Sequence, residues 1–325
     1  MPRNPDPNGY TPPQSGPLTL LPPSWIPYIE LIRLDKPHGI YMMYYPHVLG
    51  VLYSSTLTPT PLSPTTTLTL LARLLLWTIL LRSTSCAWND NIDQDYDRKT
   101  ARCKTRPIAR GAISTLQGHI YTAVLLPLSF LSLADLPIQA TYVAVVSYAL
   151  MAVYPFGKRL TDFPQVILGS VLGSTVLVGC YAAGVDPLSE GRVWPSGGLV
   201  VAVALLVLFY DTMYARQDTA DDIKSGVRGM AVRFRDRVVL LLGLVVGGVG
   251  VLLFGVGWLV GLGGWLFGVA VAGVVLGLAG IVGCIAGDIG GDEGEARHFG
   301  WYYTGVIVCL VAGFAGEYLA RVGVV

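Results

Sequence analysis

Charged residues are scarce in this sequence. Only 13% of its 325 residues are Asp, Glu, Lys or Arg, against about 25% in a soluble domain, which excludes a soluble enzyme. The net charge of +1 offers no basic surface for nucleic acid, and nothing in the sequence indicates a protein partner.

The five cysteines are an odd set without CxxC or Cys/His spacing, which excludes a disulfide-stapled secreted domain. We expect free thiols at Cys86, Cys103, Cys180, Cys284 and Cys309.

Long apolar runs make up most of the chain. Each run is close to the roughly 20 residues that an α-helix needs to cross a bilayer. The sequence therefore predicts an all-α membrane protein, a nine-transmembrane-helix bundle in contact with the lipid bilayer. The nine runs cover residues 38–55, 68–88, 116–135, 137–155, 164–184, 195–214, 237–257, 260–286 and 301–323.

Prolines are concentrated at the amino terminus, where residues 1–27 hold nine of the 21. Such a composition does not build a helix, so we expect a flexible tail over 1–27 and a membrane domain over 28–325. The first 32 residues contain one arginine, Arg3, and two acids, Asp6 and Glu30. Because a mitochondrial transit peptide is Arg-rich and poor in acids, we do not expect mitochondrial import.

The few charges segregate sharply once nine crossings are assumed. The amino terminus and the loops after the even-numbered helices then share one face. That face receives all 22 basic residues except Arg73, Arg82, Arg192 and Arg321. The positive-inside rule makes it cytoplasmic. Most acidic residues lie on the same face, which topology alone does not explain, because acids contribute little to orientation.

The first acidic cluster follows the second apolar run. Asp90, Asp93 and Asp97 are spaced i, i+3, i+7, so they share one face if the helix continues. Three carboxylates on one face repel one another, and oxygen ligands without His or Cys favour Mg²⁺. An EF-hand is excluded because Arg98 and Lys104 replace its required Gly and Glu. The alternative is a solvated loop with helix-capping aspartates.

A second acidic cluster ends the sixth run. Asp211, Asp218 and Asp222 are spaced i, i+7, i+11, and Tyr214 lies on the same stripe. Mg²⁺ is commonly held by carboxylates together with substrate phosphates, and Arg and Lys bind the remaining phosphate oxygens. Carboxylates and cations at the mouth of an apolar bundle therefore indicate an isoprenoid diphosphate. Basic residues follow both clusters, namely Arg102, Lys104, Arg106, Lys224 and Arg228.

Four segments together resemble the UbiA superfamily of intramembrane prenyltransferases. Asn89, Asp90, Asp93 and Asp97 match its NDxxDxxxD motif, and Arg102 to Pro107 resemble its RTxxRP segment. Tyr214, Asp218 and Asp222 match its YxxxDxxxD motif. The segment from Arg33 to Gly39 resembles its RxDKPxG motif, and the segment from Tyr154 to Thr161 resembles its YPFxKRxT motif.

The resemblance implies a nine-helix bundle whose central cavity, capped by cytoplasmic-side loops, binds a prenyl chain. It implies that Mg²⁺ bridges the diphosphate to Asp90, Asp93, Asp97, Asp218 and Asp222. It also implies substrate-binding residues. Asn89 would orient the first cluster, and Tyr214 belongs to the second motif. The residues implied to bind the diphosphate are Arg102, Lys104, Lys158, Arg159 and Lys224. Asp211 and Asp221 would assist, whereas Asp95 would be solvated.

Other positions keep two interpretations. Arg33 and Lys36 either flank the first helix or bind an acceptor carboxylate. His38 and His47 are expected to pack or hydrogen-bond rather than to act as bases. Gly173 and Ser174 stand where bacterial 4-hydroxybenzoate enzymes commonly have Asn-Trp, which suggests a differently shaped acceptor pocket.

The motif wording most resembles the fungal branch that prenylates aromatic polyketides in meroterpenoid biosynthesis. That branch implies a farnesyl diphosphate donor, an aromatic acceptor similar to orsellinic acid, and the endoplasmic reticulum membrane. One alternative is the 4-hydroxybenzoate polyprenyltransferase of ubiquinone biosynthesis, with the mitochondrial inner membrane as its location. Two further alternatives are a membrane-bound terpene cyclase and a lipid-binding scaffold.

Overall fold

The computed structural model describes residues 9–287 and 291–323 of the chain. The predicted flexible tail, 1–27, falls partly outside these residues, since 1–8 are not described. Its described part contains a 3₁₀ turn at Pro17–Leu20 and the first residues of a short helix at Ile26–Leu31. The domain limits stay a prediction.

Helices are the only regular secondary structure within the described ranges. They are α1 (Ile26–Leu31), α2 (His38–Ser54), α3 (Pro64–Ile92), α4 (Gln94–Asp97), α5 (Thr115–Leu131), α6 (Ile138–Leu160), α7 (Pro164–Ala182), α8 (Val193–Ala215), α9 (Thr219–Ser225), α10 (Met230–Arg233), α11 (Val238–Val260), α12 (Trp265–Ala286) and α13 (Gly291–Arg321). Short 3₁₀ turns also occur at Arg216–Asp218 and Arg235–Arg237.

The long helices coincide with the predicted apolar runs. In the described part of the chain each of the nine runs overlaps one helix, namely α2, α3, α5 to α8, or α11 to α13. Seven helices are long and apolar enough to cross a membrane, whereas α2 and α5 have only 17 residues each. The all-helical membrane architecture is confirmed, and nine crossings remain a prediction.

The helices form a closed ring of neighbours. Successive contacts run from α2 through α3, α6, α7, α8, α11, α12 and α13 back to α2, with α5 packed on α3. Helix α2 also contacts α7, where Gly50 and Gly179 face each other. A β-carbon on Gly50 would collide with the carbonyl oxygen of Val176, so two glycines allow this close crossing.

Two apolar clusters fill the bundle. The larger lies among α2, α7, α8, α11, α12 and α13, around the fully buried rings of Phe209, Tyr303 and Phe314. The smaller surrounds Trp77 and joins α3 to α2, α6 and α7. Because both clusters share α2 and α7, the two sides of the ring are packed into one body.

Helix α3 ends inside the first acidic cluster. The helix does not continue unbroken through the cluster, because α3 stops at Ile92 and the single turn of α4 follows Asp93. The amide of Asp93 nevertheless donates to Asn89 O at 2.8 Å, and that of Asp97 donates to Asp93 O at 2.9 Å. The helical spacing therefore persists through the break and keeps the aspartates on one side.

Candidate active site

A polar cavity of about 180 Å³ lies where the ends of α3, α6 and α8 meet the loops between helices. Both acidic clusters contribute to its wall, although they are far apart in sequence. Ten of its polar and charged wall residues are Arg33, Asn89, Asp93, Asp97, Arg102, Arg106, Lys158, Tyr214, Asp218 and Asp222. The cavity also reaches Tyr154, Gln165, Asp211 and Arg228.

Each aspartate of the first cluster is paired with a cation. Arg33 Nη2 lies 2.7 Å from Asp90 Oδ1, and Lys158 Nζ lies 2.5 Å from Asp93 Oδ2. Arg106 Nη1 contacts Asp97 at 2.8 Å and Asp90 at 3.3 Å. These pairs offset the mutual repulsion of three carboxylates in a confined space.

The pairing leaves two carboxylate oxygens without a hydrogen-bond partner. They are Asp90 Oδ2 and Asp93 Oδ1, and both side chains are only 1% exposed. A buried acceptor without a partner costs free energy, and a divalent cation with oxygen ligands would satisfy it. The donor set therefore fits Mg²⁺.

The carboxylates do not form a finished metal site. Over the described residues no three His, Cys, Asp or Glu side chains stand close enough to hold an ion together. Asp90, Asp93 and Asp97 are paired with Arg33, Lys158 and Arg106 instead.

Arg102 connects the second cluster to the loop that follows the first. Its guanidinium approaches both oxygens of Asp218, with Nε 3.0 Å from Oδ1 and Nη2 2.5 Å from Oδ2. It also donates to the Tyr214 hydroxyl at 2.8 Å. The backbone amide of Ala101 donates to Asp221 at 2.9 Å, which ties the same loop to α9.

Electrostatics follow from burial and from these pairs. Burial raises the pKa of Asp97 to about 6, although the neighbouring Arg106 acts in the opposite direction. For Arg102, burial alone would lower the pKa, but the hydrogen bond to Asp218 raises it above its usual value. Arg102 therefore stays charged and able to bind an anion.

Gln165, at the start of α7, supports the base of the cavity. Its side-chain oxygen accepts from the amide of Met230 at 3.1 Å, which ties the start of α7 to α10. Tyr154 and Asp211 line the same cavity.

The structure places most of the predicted site residues at this cavity, and their roles stay a prediction. Asp90 lies directly behind the wall, bonded to Arg33 and Arg106. Arg159 lies outside the wall and pairs with the half-exposed Asp95 at 2.7 Å. The predicted residues Lys36, Lys104 and Lys224 are exposed and also lie outside it.

Several cavity residues were not assigned to the site from sequence, or were expected to have another partner there. Arg106 was noted within a motif, but its contact with two aspartates appears only in the fold. Tyr154 and Arg228 likewise belonged to segments already singled out. Gln165 carried no signal beyond its place at the start of a helix. Arg33 was expected at a membrane flank or on an acceptor, and here it contacts Asp90.

Aromatic rings pack beside Tyr214, which belongs to the cavity wall. Tyr210 stacks near Tyr214 at 6.1 Å between centroids and near Phe299 at 5.4 Å, and it lies 5.9 Å from the His38 ring. His47 is buried, hydrogen-bonds Met43 O at 2.9 Å and packs edge-on against Trp77. Both histidines therefore pack or hydrogen-bond, as expected.

Gly173 and Ser174 lie at helix interfaces. A β-carbon on Gly173 would come within 2.6 Å of Val200 O on α8, so this position permits close packing of α7 and α8. The Ser174 hydroxyl bonds that of Ser147 on α6 at 2.9 Å. Neither residue contributes to the wall of the polar cavity.

Comparison with known families and proteins finds close relatives. The model of the UbiA prenyltransferase family matches residues 43–302. Prenyltransferase ascA of Acremonium egyptiacum is 52% identical over 236 residues, which are 73% of this chain and 70% of that protein. DMOA farnesyltransferase nvfB of Aspergillus novofumigatus is 40% identical over 224 residues, which are 69% of this chain and 70% of that protein.

Solved structures share the fold. The apo UbiA homologue from Aeropyrum pernix aligns with a TM-score of 0.69 at 24% identity, covering 86% of this chain and 98% of that one. The UbiA homologue from Archaeoglobus fulgidus bound to DMAPP and Mg²⁺ aligns with a TM-score of 0.67 at 17% identity, covering 90% and 99%.

Proposed function

The chain belongs to the UbiA prenyltransferase family and is a prenyltransferase, and we propose that it transfers a farnesyl group from farnesyl diphosphate to a ring carbon of an aromatic polyketide acid. The reaction depends on Mg²⁺ and serves meroterpenoid biosynthesis. The donor diphosphate binds in the polar cavity, and the prenyl chain extends towards the apolar bundle.

One observation carries the proposal. Two aspartate-rich segments, separated by more than a hundred residues, meet at a single cavity together with Arg33, Arg102, Arg106 and Lys158. A carboxylate-only site would repel a diphosphate, and a cation-only site would leave no ligands for a metal. The mixture suits a diphosphate whose oxygens bind both Mg²⁺ and basic side chains.

The first cluster supplies metal ligands through Asp90 and Asp93, whose free oxygens are already buried. Asp97, Asp218 and Asp222 add carboxylates on the facing parts of the wall. When bound, Mg²⁺ supplies charge neutralisation that helps pyrophosphate to leave the allylic carbon. Asn89 donates to Asp93 Oδ2 at 3.2 Å and so orients that carboxylate.

The cations would bind the diphosphate. Arg33, Arg102, Arg106 and Lys158 bind aspartates in the structure. The same side chains would donate to diphosphate oxygens and stabilise the negative charge that develops on the leaving group.

Aromatic rings next to the cavity would protect the reactive cation from water. The rings of Tyr210, Phe299 and Tyr303 cluster beside Tyr214, which belongs to the cavity wall. Aromatic faces stabilise a nearby cation, and a water-poor environment prevents its hydrolysis. The electron-rich ring of the acceptor attacks the cation and a carbon–carbon bond forms. The ring proton then passes to an oxygen of the released pyrophosphate, and its loss restores aromaticity.

The donor class is supported by a relative and by a solved homologue. The relative nvfB is named a farnesyltransferase and is 40% identical, and the fold matches a homologue solved with DMAPP and Mg²⁺. We extend these properties to this chain as a proposal. The location that we propose is the endoplasmic reticulum membrane, with the amino terminus and the cavity loops facing the cytoplasm, as the distribution of Arg and Lys favours.

The direct test is a product assay. Microsomes containing the protein are incubated with farnesyl diphosphate, an orsellinic acid derivative and Mg²⁺, and products are identified by mass spectrometry. The expected product is a ring-farnesylated phenol that disappears when EDTA is added. Microsomes containing an Asp90→Ala or Asp218→Ala variant at equal abundance serve as controls and should give no product.

A panel of donors and acceptors separates the alternatives. Donors of different chain length and acceptors including 4-hydroxybenzoate are tested in the same microsomes. Activity on 4-hydroxybenzoate alone would support the ubiquinone-type enzyme. A cyclised hydrocarbon or alcohol formed without any acceptor would support a terpene cyclase. Either result would contradict transfer to an aromatic polyketide acid.

A further inference from the structure

Arg82 is a charged residue in the middle of an apolar helix, and the proposed chemistry does not use it. It lies on α3, within a segment apolar enough to cross a membrane, and is only 6% exposed. A cation inside such a segment is costly unless it is paired or hydrogen-bonded. Its contacts therefore indicate what the position is for.

Arg82 donates its side-chain hydrogen bonds, among the described residues, to backbone carbonyls of the segment between α1 and α2. Nη1 donates to Arg33 O at 2.7 Å and lies 3.5 Å from Ile32 O, and Nη2 donates to Lys36 O at 2.9 Å. These carbonyls belong to the residues between α1 and α2. The planar guanidinium thus reaches three acceptors along the turn that precedes the first long helix.

The turn has an unusual backbone at Arg33. The amide of Leu34 donates to Ile29 O at 3.2 Å and that of Arg33 donates to Glu30 O at 3.0 Å, which is the Schellman arrangement at the end of a helix. Glycine is favoured at the left-handed position of this motif. Here the position holds Arg33, with φ of 53°, and it is the one non-glycine residue with positive φ in the described chain.

The side chain of Arg33 explains why glycine is absent. From this left-handed position its guanidinium reaches Asp90 Oδ1 at 2.7 Å, which is part of the candidate diphosphate site. A strained residue persists only where surrounding contacts hold it. Arg82 supplies such contacts, since it binds the carbonyl of Arg33 itself.

We propose that Arg82 is a positioning residue that binds the turn after α1 and holds Arg33 in the left-handed conformation that places its guanidinium on Asp90. This rests on the proposed function, because Arg33 and Asp90 are assigned there to diphosphate and metal. Arg82 acts through Arg33 and does not touch the substrate. Its guanidinium contacts three backbone carbonyls of the turn rather than a ligand.

Gly39 provides an independent way to disturb the same contact. An ideal β-carbon on Gly39 would lie 2.6 Å from both Nε and Nη2 of Arg82. A Gly39→Ala substitution therefore displaces the guanidinium and leaves the charge in place. It complements Arg82→Gln, which removes the charge, and Arg82→Lys, which keeps the charge but cannot present a planar fork to three carbonyls.

The first measurement is hydrogen exchange in the full-length protein without ligand. The amides of Arg33 and Leu34 are protected by the Schellman hydrogen bonds. In Arg82→Gln they should exchange about tenfold faster, while the amides of α7 are unchanged. Unchanged exchange in the turn would overturn the proposal, whatever the protein binds.

The second measurement is a double-mutant cycle on the dissociation constant of farnesyl thiolodiphosphate, an unreactive analogue, with Mg²⁺ present. Arg33→Gly removes the side chain and supplies the residue that this turn prefers. Arg82→Gln should weaken binding about tenfold in the wild-type background, as expected for loss of hydrogen bonds to a charged group. It should have no further effect once Arg33 is glycine. If the double variant's dissociation constant rises by the product of the two single-variant factors, Arg82 acts independently of Arg33 and the proposal is wrong.

Controls separate positioning from general destabilisation. Arg192, directly before α8, also donates to backbone carbonyls, namely Leu57 O at 2.9 Å in the loop between α2 and α3 and Asp186 O at 3.3 Å in the loop before α8. Arg192→Gln should leave the dissociation constant unchanged.

Arg82→Lys should recover part of the affinity, and full affinity in that variant would contradict the need for a planar fork. If Arg82→Gln does not fold, Gly39→Ala takes its place in the cycle. Absence of analogue binding by the wild-type protein would refute the proposed function, and the exchange experiment would still decide the role of Arg82.

Discussion

Arg102 and Asp218 are 116 residues apart in the chain and form a two-point contact across the cavity. The guanidinium belongs to the loop after the first aspartate cluster, and the carboxylate belongs to the second cluster. The contact therefore joins the two halves of the candidate diphosphate site. The same guanidinium lies 4.8 Å from the centre of the Tyr214 ring, so its position is fixed by two residues of the second motif.

Replacing Arg102 should weaken diphosphate binding, because the site loses both the positive charge and the planar hydrogen-bonding fork of its guanidinium. In Arg102→Ala the catalytic efficiency, kcat/KM, for the prenyl diphosphate should fall about tenfold or more, because a charge-assisted contact is lost. Arg102→Lys should retain part of it, since the charge remains but the fork does not. Steady-state kinetics in detergent or microsomes measure the change. Arg98→Ala is the matched control, because Arg98 bonds Gln94 and Ala109 O outside the cavity wall. Equal losses in Arg98→Ala and Arg102→Ala would contradict the assignment.

Two aspartates of the same motif should behave oppositely. Asp93 is buried at the cavity with an oxygen that has no hydrogen-bond partner, whereas Asp95, two residues later, is 49% exposed and pairs with Arg159. Asp93→Asn should reduce Mg²⁺-dependent turnover about a hundredfold or more, because a metal ligand is lost. Asp95→Asn should change it less than about twofold, as for an exposed ion pair. Turnover at a series of Mg²⁺ concentrations tests both, and a large loss in Asp95→Asn would contradict the assignment.

The helices were largely predictable because apolar length is a local property of sequence. The second run was predicted at 68–88, and α3 spans Pro64–Ile92. Its extra turn at the start depends on Pro64 and on the Ser63 side chain, which accepts from the amide of Thr66 at 3.2 Å. Hydropathy does not detect such polar caps, so element ends were less accurate than their centres.

The site was predictable in its carboxylates and less so in its cations. Aspartate spacing on a helix places side chains on one face, and this geometry persisted through the break at Asp93. Lys158 and Arg159 are adjacent in sequence, and only the packed end of α6 determines that Lys158 contacts Asp93 while Arg159 contacts Asp95. The left-handed Arg33 was also unpredictable, because local preference at that position favours glycine.

Lys158 and Mg²⁺ should compete for Asp93. In Lys158→Met the buried carboxylate of Asp93 loses its cationic partner and keeps only the Asn89 amide, which should lower the free energy of unfolding without metal by about 2 kcal/mol. That is below the cost of breaking a fully buried pair, because the Lys158 side chain is 26% exposed. Mg²⁺ should then raise the Tm of Lys158→Met more than that of the wild type, since the variant binds metal without displacing a cation. Thermal unfolding with and without Mg²⁺ measures both effects, and turnover should fall because a diphosphate-binding cation is gone. A smaller Mg²⁺ effect in the variant would refute the competition.

The crossing of α2 and α7 should tolerate no side chain at Gly179. A β-carbon there would lie 2.9 Å from Gly50 Cα and 3.0 Å from the amide nitrogen of Val51, and both are backbone atoms that cannot rotate away. Gly179→Ala should therefore lower the free energy of unfolding by about 1–3 kcal/mol through overpacking. Gly255→Ala is the matched control, because α11 has open space around that β-carbon, and a helical alanine is favoured over glycine. Thermal unfolding in detergent should show a lower Tm for Gly179→Ala and an equal or higher Tm for Gly255→Ala. Equal behaviour of the two variants would mean that the contact between α2 and α7 adapts, and the bundle would then not depend on this close approach.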